Sequence, residues 1–141
     1  MRRAFAAGTF DGLHPGHVAF LKHAARQGKL SVAVARDGNV LKTKGSKTFF
    51  NEKERLSLVS AIKFVSKAFL GSKQDYLDAV VKAKPDVVVL GHDQKVDGKR
   101  LEKALKERGV RCRVVRAPAF KRARYRNALL KRGKKGHYSQ C

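Results

Sequence analysis

An unbroken apolar segment in the second half of the chain constrains the fold more than any other feature. Residues 86–91 read Asp-Val-Val-Val-Leu-Gly and follow a proline, Pro85. A run without polar alternation is typical of a parallel strand that is covered on both faces, because a half-solvated strand alternates apolar and polar side chains. The segment therefore predicts a parallel sheet with helices on both sides.

The rest of the chain alternates short apolar runs with helical periodicity. Asn51 followed by Glu54 has the pattern of a helix N-terminus, and Gly28, Pro85 and Gly109 stand where other helices should end. The further strands are predicted at residues 4–7, 30–35, 68–71 and 110–115, and the helices at residues 15–27, 37–42, 51–62, 74–82, 96–108 and 121–132. This order predicts a single Rossmann-like α/β domain over residues 1–132, in which a doubly wound, five-stranded, mostly parallel sheet carries helices on both faces. Residues 133–141 are expected to form a disordered basic tail.

The charge of the chain points to anionic partners. Lys and Arg number 33 and Asp and Glu 11, which gives a formal net charge of +22. An excess of this size favours nucleotides, phosphorylated metabolites or nucleic acid as ligands, although adaptation to a particular cell interior gives the same composition. No apolar run is long enough to span a membrane, no signal peptide precedes the first strand, and the two cysteines lack metal-site spacing, so we expect a cytoplasmic protein.

The chemistry is expected where the first strand ends. Residues 8–17 read Gly-Thr-Phe-Asp-Gly-Leu-His-Pro-Gly-His, and Pro15 suits the first turn of a helix. His14 and His17 therefore fall at a strand-to-helix junction, where outward backbone N–H groups and the helix dipole favour an anion. A second polar turn, Gly-His-Asp-Gln at residues 91–94, follows the apolar strand. Because ligands of such sheets bind at the carboxyl ends of the strands, both turns should face one crevice.

The opening turn lacks the spacing of a dinucleotide fingerprint and of a P-loop. It resembles instead the HxGH nucleotidyltransferases, the cytidylyltransferase-like group, whose GTFDxxHxGH signature residues 8–17 match throughout. The basic segment 42–47 and the Glu-Arg pair at 54–55 resemble the basic loop and the segment after it in the same group. The Ala-Arg-Asp sequence at residues 35–37, after the second strand, and the turn at 91–94 are most similar to the archaeal FAD synthases. This resemblance covers about residues 1–116.

The resemblance implies an FMN adenylyltransferase that moves AMP from ATP onto the phosphate of FMN and releases pyrophosphate, with a divalent metal such as Mg²⁺. The implied catalytic residues are His14, His17 and Lys44, the lysine lying on a mobile basic loop. The implied nucleotide-binding residues are Thr9, Phe10, His14, Pro15, Gly16, His17, Asp93, Arg124 and Tyr125. Asp11 is either a metal ligand or a turn residue. A cytidylyltransferase acting on glycerol 3-phosphate or a related alcohol phosphate is the alternative enzyme.

One part of the group's pattern is missing. The Ser/Thr-rich motif that binds the outer phosphates does not follow the fifth predicted strand, and residues 120–127 read Phe-Lys-Arg-Ala-Arg-Tyr-Arg-Asn instead. Arginine forks also bind phosphate, so Arg122, Arg124 and Arg126 are candidates to replace the motif, with Tyr125 near the nucleotide. The arginine-rich tail also leaves open a nucleic-acid-binding protein on a degenerate nucleotidyltransferase scaffold. A homodimer is left open, and no membrane contact is expected.

Overall fold

A computed structural model describes residues 2–119 of the 141-residue chain. Within this part, strands and helices follow one another as β1 (Arg3–Gly8), α1 (Pro15–Ala25), β2 (Lys29–Val34), α2 (Asp37–Lys44), α3 (Glu52–Ser60), β3 (Lys67–Leu70), α4 (Tyr76–Ala83), β4 (Val87–Leu90), α5 (Gly98–Glu107) and β5 (Arg113–Arg116).

The five strands form one sheet in the order β3-β2-β1-β4-β5, and every neighbouring pair is parallel. The chain builds outward from β1 in one direction with β2 and β3, and in the other with β4 and β5. The order therefore reverses between β1 and β4, which is where doubly wound sheets bind ligands. The predicted Rossmann-like architecture is confirmed.

Helices cover both faces of the sheet, as the apolar run at residues 86–91 predicted. All four residues of β4 are buried. Leu21 and Ala24 of α1 and Val59 of α3 belong to the core on one face. The core on the other face includes Ala79 and Val80 of α4 and Leu101 and Leu105 of α5. Burial on both sides makes β1 and β4 the rigid centre from which the site extends.

Some helix and strand ends differ from the prediction: the fifth strand, predicted at residues 110–115, spans Arg113–Arg116, and two helix ends are explained by their capping residues. The predicted helix 96–108 begins two residues later, at Gly98, because the Asp97 carboxylate accepts hydrogen bonds from the N–H groups of Lys99 (3.0 Å) and Arg100 (3.3 Å). The short helix predicted to end near residue 42 continues to Lys44 and stops at Gly45, whose φ of 74° is left-handed. The Asn51–Glu54 capping box is confirmed, with N···O distances of 2.8 and 2.9 Å.

None of the helices within residues 2–119 combines the length and the apolarity needed to cross a bilayer.

Candidate active site

The segment between β1 and α1 turns sharply on two left-handed residues. Gly12 has φ of 67°, which glycine adopts freely, but Phe10 has φ of 54°, a conformation that costs a non-glycine residue about 1–3 kcal/mol. The Phe10 side chain is fully buried and its ring meets the His17 ring edge-on, with 5.7 Å between the ring centroids. Core packing therefore holds the strained turn, and the residue as a whole is 0% exposed, so the predicted contact of Phe10 with a nucleotide stays a prediction.

His14 and His17 cap the first turn of α1 and lock each other in place. His14 is the N-cap residue, and its Nδ1 accepts a hydrogen bond from the N–H of Gly16 at 3.0 Å. His17 is the third helical residue, and its Nδ1 accepts from the N–H of His14 at 3.1 Å. Pro15 occupies the first helical position, as predicted. The two rings stack with 3.8 Å between their centroids, at an angle of 32°. The resulting capping box uses histidine at both positions.

The caps determine which ring nitrogen carries the hydrogen. A nitrogen that accepts a hydrogen bond bears no proton, so each neutral imidazole carries its hydrogen on Nε2. Protonation of either ring to imidazolium would place a hydrogen on Nδ1 and break the cap. Of the two Nε2 atoms, that of His14 belongs to a partly exposed ring, whereas His17, predicted as a second donor to a ligand, is 2% exposed and its Nε2 is buried.

The backbone at this helix end differs from the expectation of outward N–H groups. The Gly16 N–H is taken by the His14 ring, and the N–H of His17 donates to the carbonyl of His14 at 2.9 Å. Pro15 has no N–H group. An anion at this end would therefore meet the His14 ring and the helix dipole rather than the first amides of α1.

We expect the pKa of His14 to lie below the ordinary 6.5, because burial lowers it. An NMR titration of the histidine ring protons measures it, and the resonance missing from a His14→Ala variant identifies the residue. The ring should stay neutral as the pH falls through 6.5 and become protonated only at lower pH. A midpoint at or above 6.5 contradicts the neutral, Nδ1-accepting state.

Asp11 binds the chain segment that precedes α3. Its carboxylate is fully buried, and its two oxygens accept hydrogen bonds from the N–H groups of Phe49 (2.7 Å) and Phe50 (3.0 Å). Asp11 was predicted to be either a metal ligand or a turn residue. These two hydrogen bonds favour the role of a turn residue. Within residues 2–119 no three His, Cys, Asp or Glu side chains gather to hold a metal ion.

Arg55 was not expected at the site, although it belongs to the Glu-Arg pair in the sequence. Its side chain is 0% exposed and donates to the carbonyls of Thr9 (2.8 Å) and Phe50 (3.0 Å) and to the Asp37 carboxylate (2.7 Å). Partial burial alone would raise the pKa of Asp37, but the hydrogen bonds from Arg55, the Glu52 N–H and Thr48, together with the charge of Arg55, outweigh it and lower that pKa. Arg55 thereby joins the β1 turn to the starts of α2 and α3.

The turn after β4 is fastened to the end of β1. Gln94 accepts from the Gly91 N–H at 2.7 Å and donates to the Ala7 carbonyl at 3.0 Å. From β5, Arg116 donates to the carbonyls of Gly91 (2.9 Å) and Gln94 (2.7 Å). Asp93, half-buried, lies in this turn. The two polar turns predicted to face one crevice therefore do meet at the switch point.

A cleft of about 470 Å³ opens beside the junction, over the carboxyl ends of β1 and β2. Gly8 and Thr9 form the boundary between this cleft and the histidines. Lys44 lines the cleft from the last turn of α2, so it stands on a helix and not on the loop predicted for it. The cleft also contains residues that the sequence did not single out, among them Ala33, Asn39, Val40, Ser72, Lys73, Tyr76 and Ala79. The predicted Arg124 and Tyr125 lie outside the described residues.

Comparisons with known proteins agree with this geometry. The cytidylyltransferase-like family model matches residues 5–132. The FAD synthase of Methanosarcina mazei is 47% identical over 122 residues, which span 86% of this chain and 80% of that protein. The FAD synthase of Archaeoglobus profundus is 44% identical over 126 residues, or 89% of this chain and 80% of that one.

A solved structure is similar over the same region. The crystal structure of a lipopolysaccharide core biosynthesis protein from Thermoplasma volcanium has a TM-score of 0.81 at 38% identity, and covers 85% of this chain and 98% of its own. The chain therefore belongs to the cytidylyltransferase-like family of nucleotidyltransferases, together with the archaeal FAD synthases.

Proposed function

We propose that this protein is an FAD synthase, an FMN adenylyltransferase that forms FAD and pyrophosphate from ATP and FMN. The observation that carries the proposal is the 44–47% identity to proteins named FAD synthase over four-fifths of their length. The paired, capped histidines at the strand-to-helix junction supply the chemistry that such a transfer needs.

The reaction requires no protein nucleophile. A phosphate oxygen of FMN attacks the α-phosphorus of ATP, the new phosphorus–oxygen bond forms the pyrophosphate linkage of FAD, and the bond to the bridging oxygen of the β-phosphate breaks. Negative charge grows on the phosphate oxygens as this bond breaks, and catalysis consists of positioning and charge stabilisation. The Nε2–H group of His14 donates to these oxygens without a prior change of tautomer, while His17, only 2% exposed, holds His14 in place through the cap and the ring contact.

The cleft beside the histidines is assigned to FMN. Its volume of about 470 Å³ suits a ligand of this size, and the alanine and valine side chains of its walls suit a flat aromatic ring. Lys42 and Lys44 at the end of α2 supply positive charge for the FMN phosphate. Gly8 and Thr9 border both the cleft and the junction, so a phosphate at this boundary would face an α-phosphorus held by the histidines. Asp93 is assigned to the ribose or base of ATP, Arg124 to its outer phosphates, and Tyr125 to a position near the nucleotide.

A divalent metal is assigned to the substrate and not to a protein site. The carboxylate predicted as a ligand, Asp11, already accepts two backbone hydrogen bonds. Mg²⁺ commonly reaches such enzymes on the phosphates of the nucleotide and keeps several waters. We therefore propose MgATP as the substrate and derive no step through a resident ion. The homodimer and the cytoplasmic location stay predictions.

The proposal is tested by incubating the protein with ATP or CTP, Mg²⁺, and FMN or glycerol 3-phosphate. Chromatography should detect FAD only in the mixture of ATP with FMN. A CDP-alcohol in the mixture of CTP with glycerol 3-phosphate, without FAD in the other, would establish the alternative cytidylyltransferase.

We expect Lys44→Ala to raise KM for FMN about tenfold, because the ammonium group that attracts the FMN phosphate is lost, which corresponds to about 1.4 kcal/mol. Steady-state kinetics with FMN as the varied substrate measure the change. Lys47→Ala is the matched control, since Lys47 lies outside the cleft on the same basic segment and its replacement removes the same charge. Equal effects of the two substitutions would contradict the assignment of Lys44 to the cleft.

A further inference from the structure

A second concave surface lies at the opposite end of the sheet from the histidines. It is a groove of about 530 Å³ at the amino ends of β1, β2 and β3, bordered by the end of α4. We call it the amino-end groove. It is lined by Arg3, Lys29, Ser31, Ser66, Lys67, Phe69, Lys82 and Ala83.

The strand register places its cations side by side. β1, β2 and β3 each begin with a basic residue, namely Arg3, Lys29 and Lys67. Arg3 pairs with Lys29, and Ser31, two residues further along β2, pairs with Lys67. Since alternate residues of a strand share a face, all three cations project from the same side of the sheet, across strands spaced about 4.8 Å apart.

A fourth cation comes from the helix layer. Lys82, in the last turn of α4, holds its ammonium nitrogen 6.0 Å from the centre of the Phe69 ring. A cation over an aromatic face is attracted by the ring, so this contact keeps the charge of Lys82 inside the groove. The Phe69 ring itself is anchored against Phe5 in the core, with 6.5 Å between their centroids.

No carboxylate lines this groove, although the Asp86 carboxylate accepts a hydrogen bond from the backbone N–H of Arg3 at 2.8 Å beside it. The lining contains no Asp or Glu, and within residues 2–119 none of the four cations forms an ion pair within 4 Å. No Asp or Glu follows Glu107 in the sequence either. A second basic cleft, at Lys99, Lys103, Lys106 and Arg111, differs because Glu102 lines it. The two basic surfaces therefore differ in composition. The lining of the amino-end groove has cations and no acidic residue, whereas the lining of the other cleft combines cations with Glu102.

We propose that the amino-end groove binds the phosphate backbone of single-stranded nucleic acid. A row of cations across three adjacent strands suits successive phosphates better than one isolated anion, and a flexible single strand can follow a concave surface. This binding is separate from FAD synthesis, because the groove and the candidate active site lie at opposite ends of the strands.

The test compares two double variants that each remove two exposed lysines. The variant Lys29→Ala/Lys67→Ala removes two positive charges from the amino-end groove. The variant Lys103→Ala/Lys106→Ala removes two positive charges from the cleft that Glu102 lines. Fluorescence anisotropy of a labelled single-stranded oligouridine is measured with the full chain at several salt concentrations. Thermal melting shows that both variants remain folded, and formation of FAD should be unchanged in both.

The groove variant should bind oligouridine about tenfold or more weakly than the parent does. The slope of log K against log salt concentration should also become smaller in magnitude by about 1.4, because two phosphate contacts on a single strand are lost. The control variant should bind nearly as the parent does. Equal weakening of both variants would show that binding follows total charge, and no weakening of the groove variant would place binding elsewhere; either result overturns the proposal. If the parent protein formed no FAD but bound oligouridine through the groove, the proposed FAD synthase function would be wrong and the groove proposal would stand.

Discussion

Replacement of His14 by alanine should lower the rate of FAD formation about a hundredfold or more, since a preorganised donor to developing charge contributes about 2.7–4 kcal/mol to catalysis. The loss should appear in kcat as well as in kcat/KM, because the contact with the phosphate oxygens strengthens as the transition state forms. A coupled or chromatographic assay of FAD with saturating ATP and FMN measures it.

The same residue is also a helix cap, so stability and catalysis must be separated. Removal of a cap costs about 0.5–2 kcal/mol of folding free energy, which alone could lower the amount of active protein. His14→Asn resolves this, since asparagine is a preferred N-cap residue but lacks the Nε2–H donor. We expect His14→Asn to melt near the parent temperature and still to lose about a hundredfold in rate.

His23→Ala is the matched control for this series. His23 lies in the last turn of α1, at the other end of the helix from the capping box, and lines no part of the cleft. Its replacement should leave the rate of FAD formation close to that of the parent. If His14→Asn instead retained most of the activity, the imidazole would act only as a cap and the proposed role of its Nε2–H group would be wrong.

The sequence predicted those parts of the structure that depend on local pattern. The apolar run at residues 86–91 predicted a strand buried on both faces, and Pro15 placed His14 and His17 at the first turn of a helix. Alternation of strands and helices predicted the switch point at which the turns after β1 and β4 meet. Each of these follows from periodicity or capping within a few residues.

Contacts between distant segments could not be predicted in this way. Asp11 binds Phe49 and Phe50, 38 and 39 residues away, and Arg55 reaches Thr9 across 46 residues. Neither spacing has a period, so the sequence left Asp11 open between a metal ligand and a turn residue and gave Arg55 no role at the site. The complete burial of Arg55 is also unexpected, because an arginine side chain is almost never fully buried unless it is paired.

Replacement of Arg55 by alanine should lower the free energy of unfolding by about 3 kcal/mol. Loss of one partner from a buried ion pair costs about 3–5 kcal/mol, and the lower end applies because Asp37 remains 44% exposed and can be resolvated. The carbonyls of Thr9 and Phe50 would lose their charged donor as well. Urea denaturation followed by circular dichroism measures the change.

Two further variants distinguish this role of Arg55 from loss of charge in general. Arg108→Ala removes an arginine that is 40% exposed and paired with Asp75 and Asp78, and it should cost less than about 1 kcal/mol. Arg55→Lys keeps the charge but not the planar fork that reaches three acceptors, so it should recover only part of the stability. Because Arg55 fixes the Thr9 carbonyl at the edge of the cleft that we assign to FMN, Arg55→Lys should also raise KM for FMN at temperatures where the variant is fully folded. If Arg55→Ala were no less stable than Arg108→Ala, the buried guanidinium would not hold the β1 turn against the starts of α2 and α3.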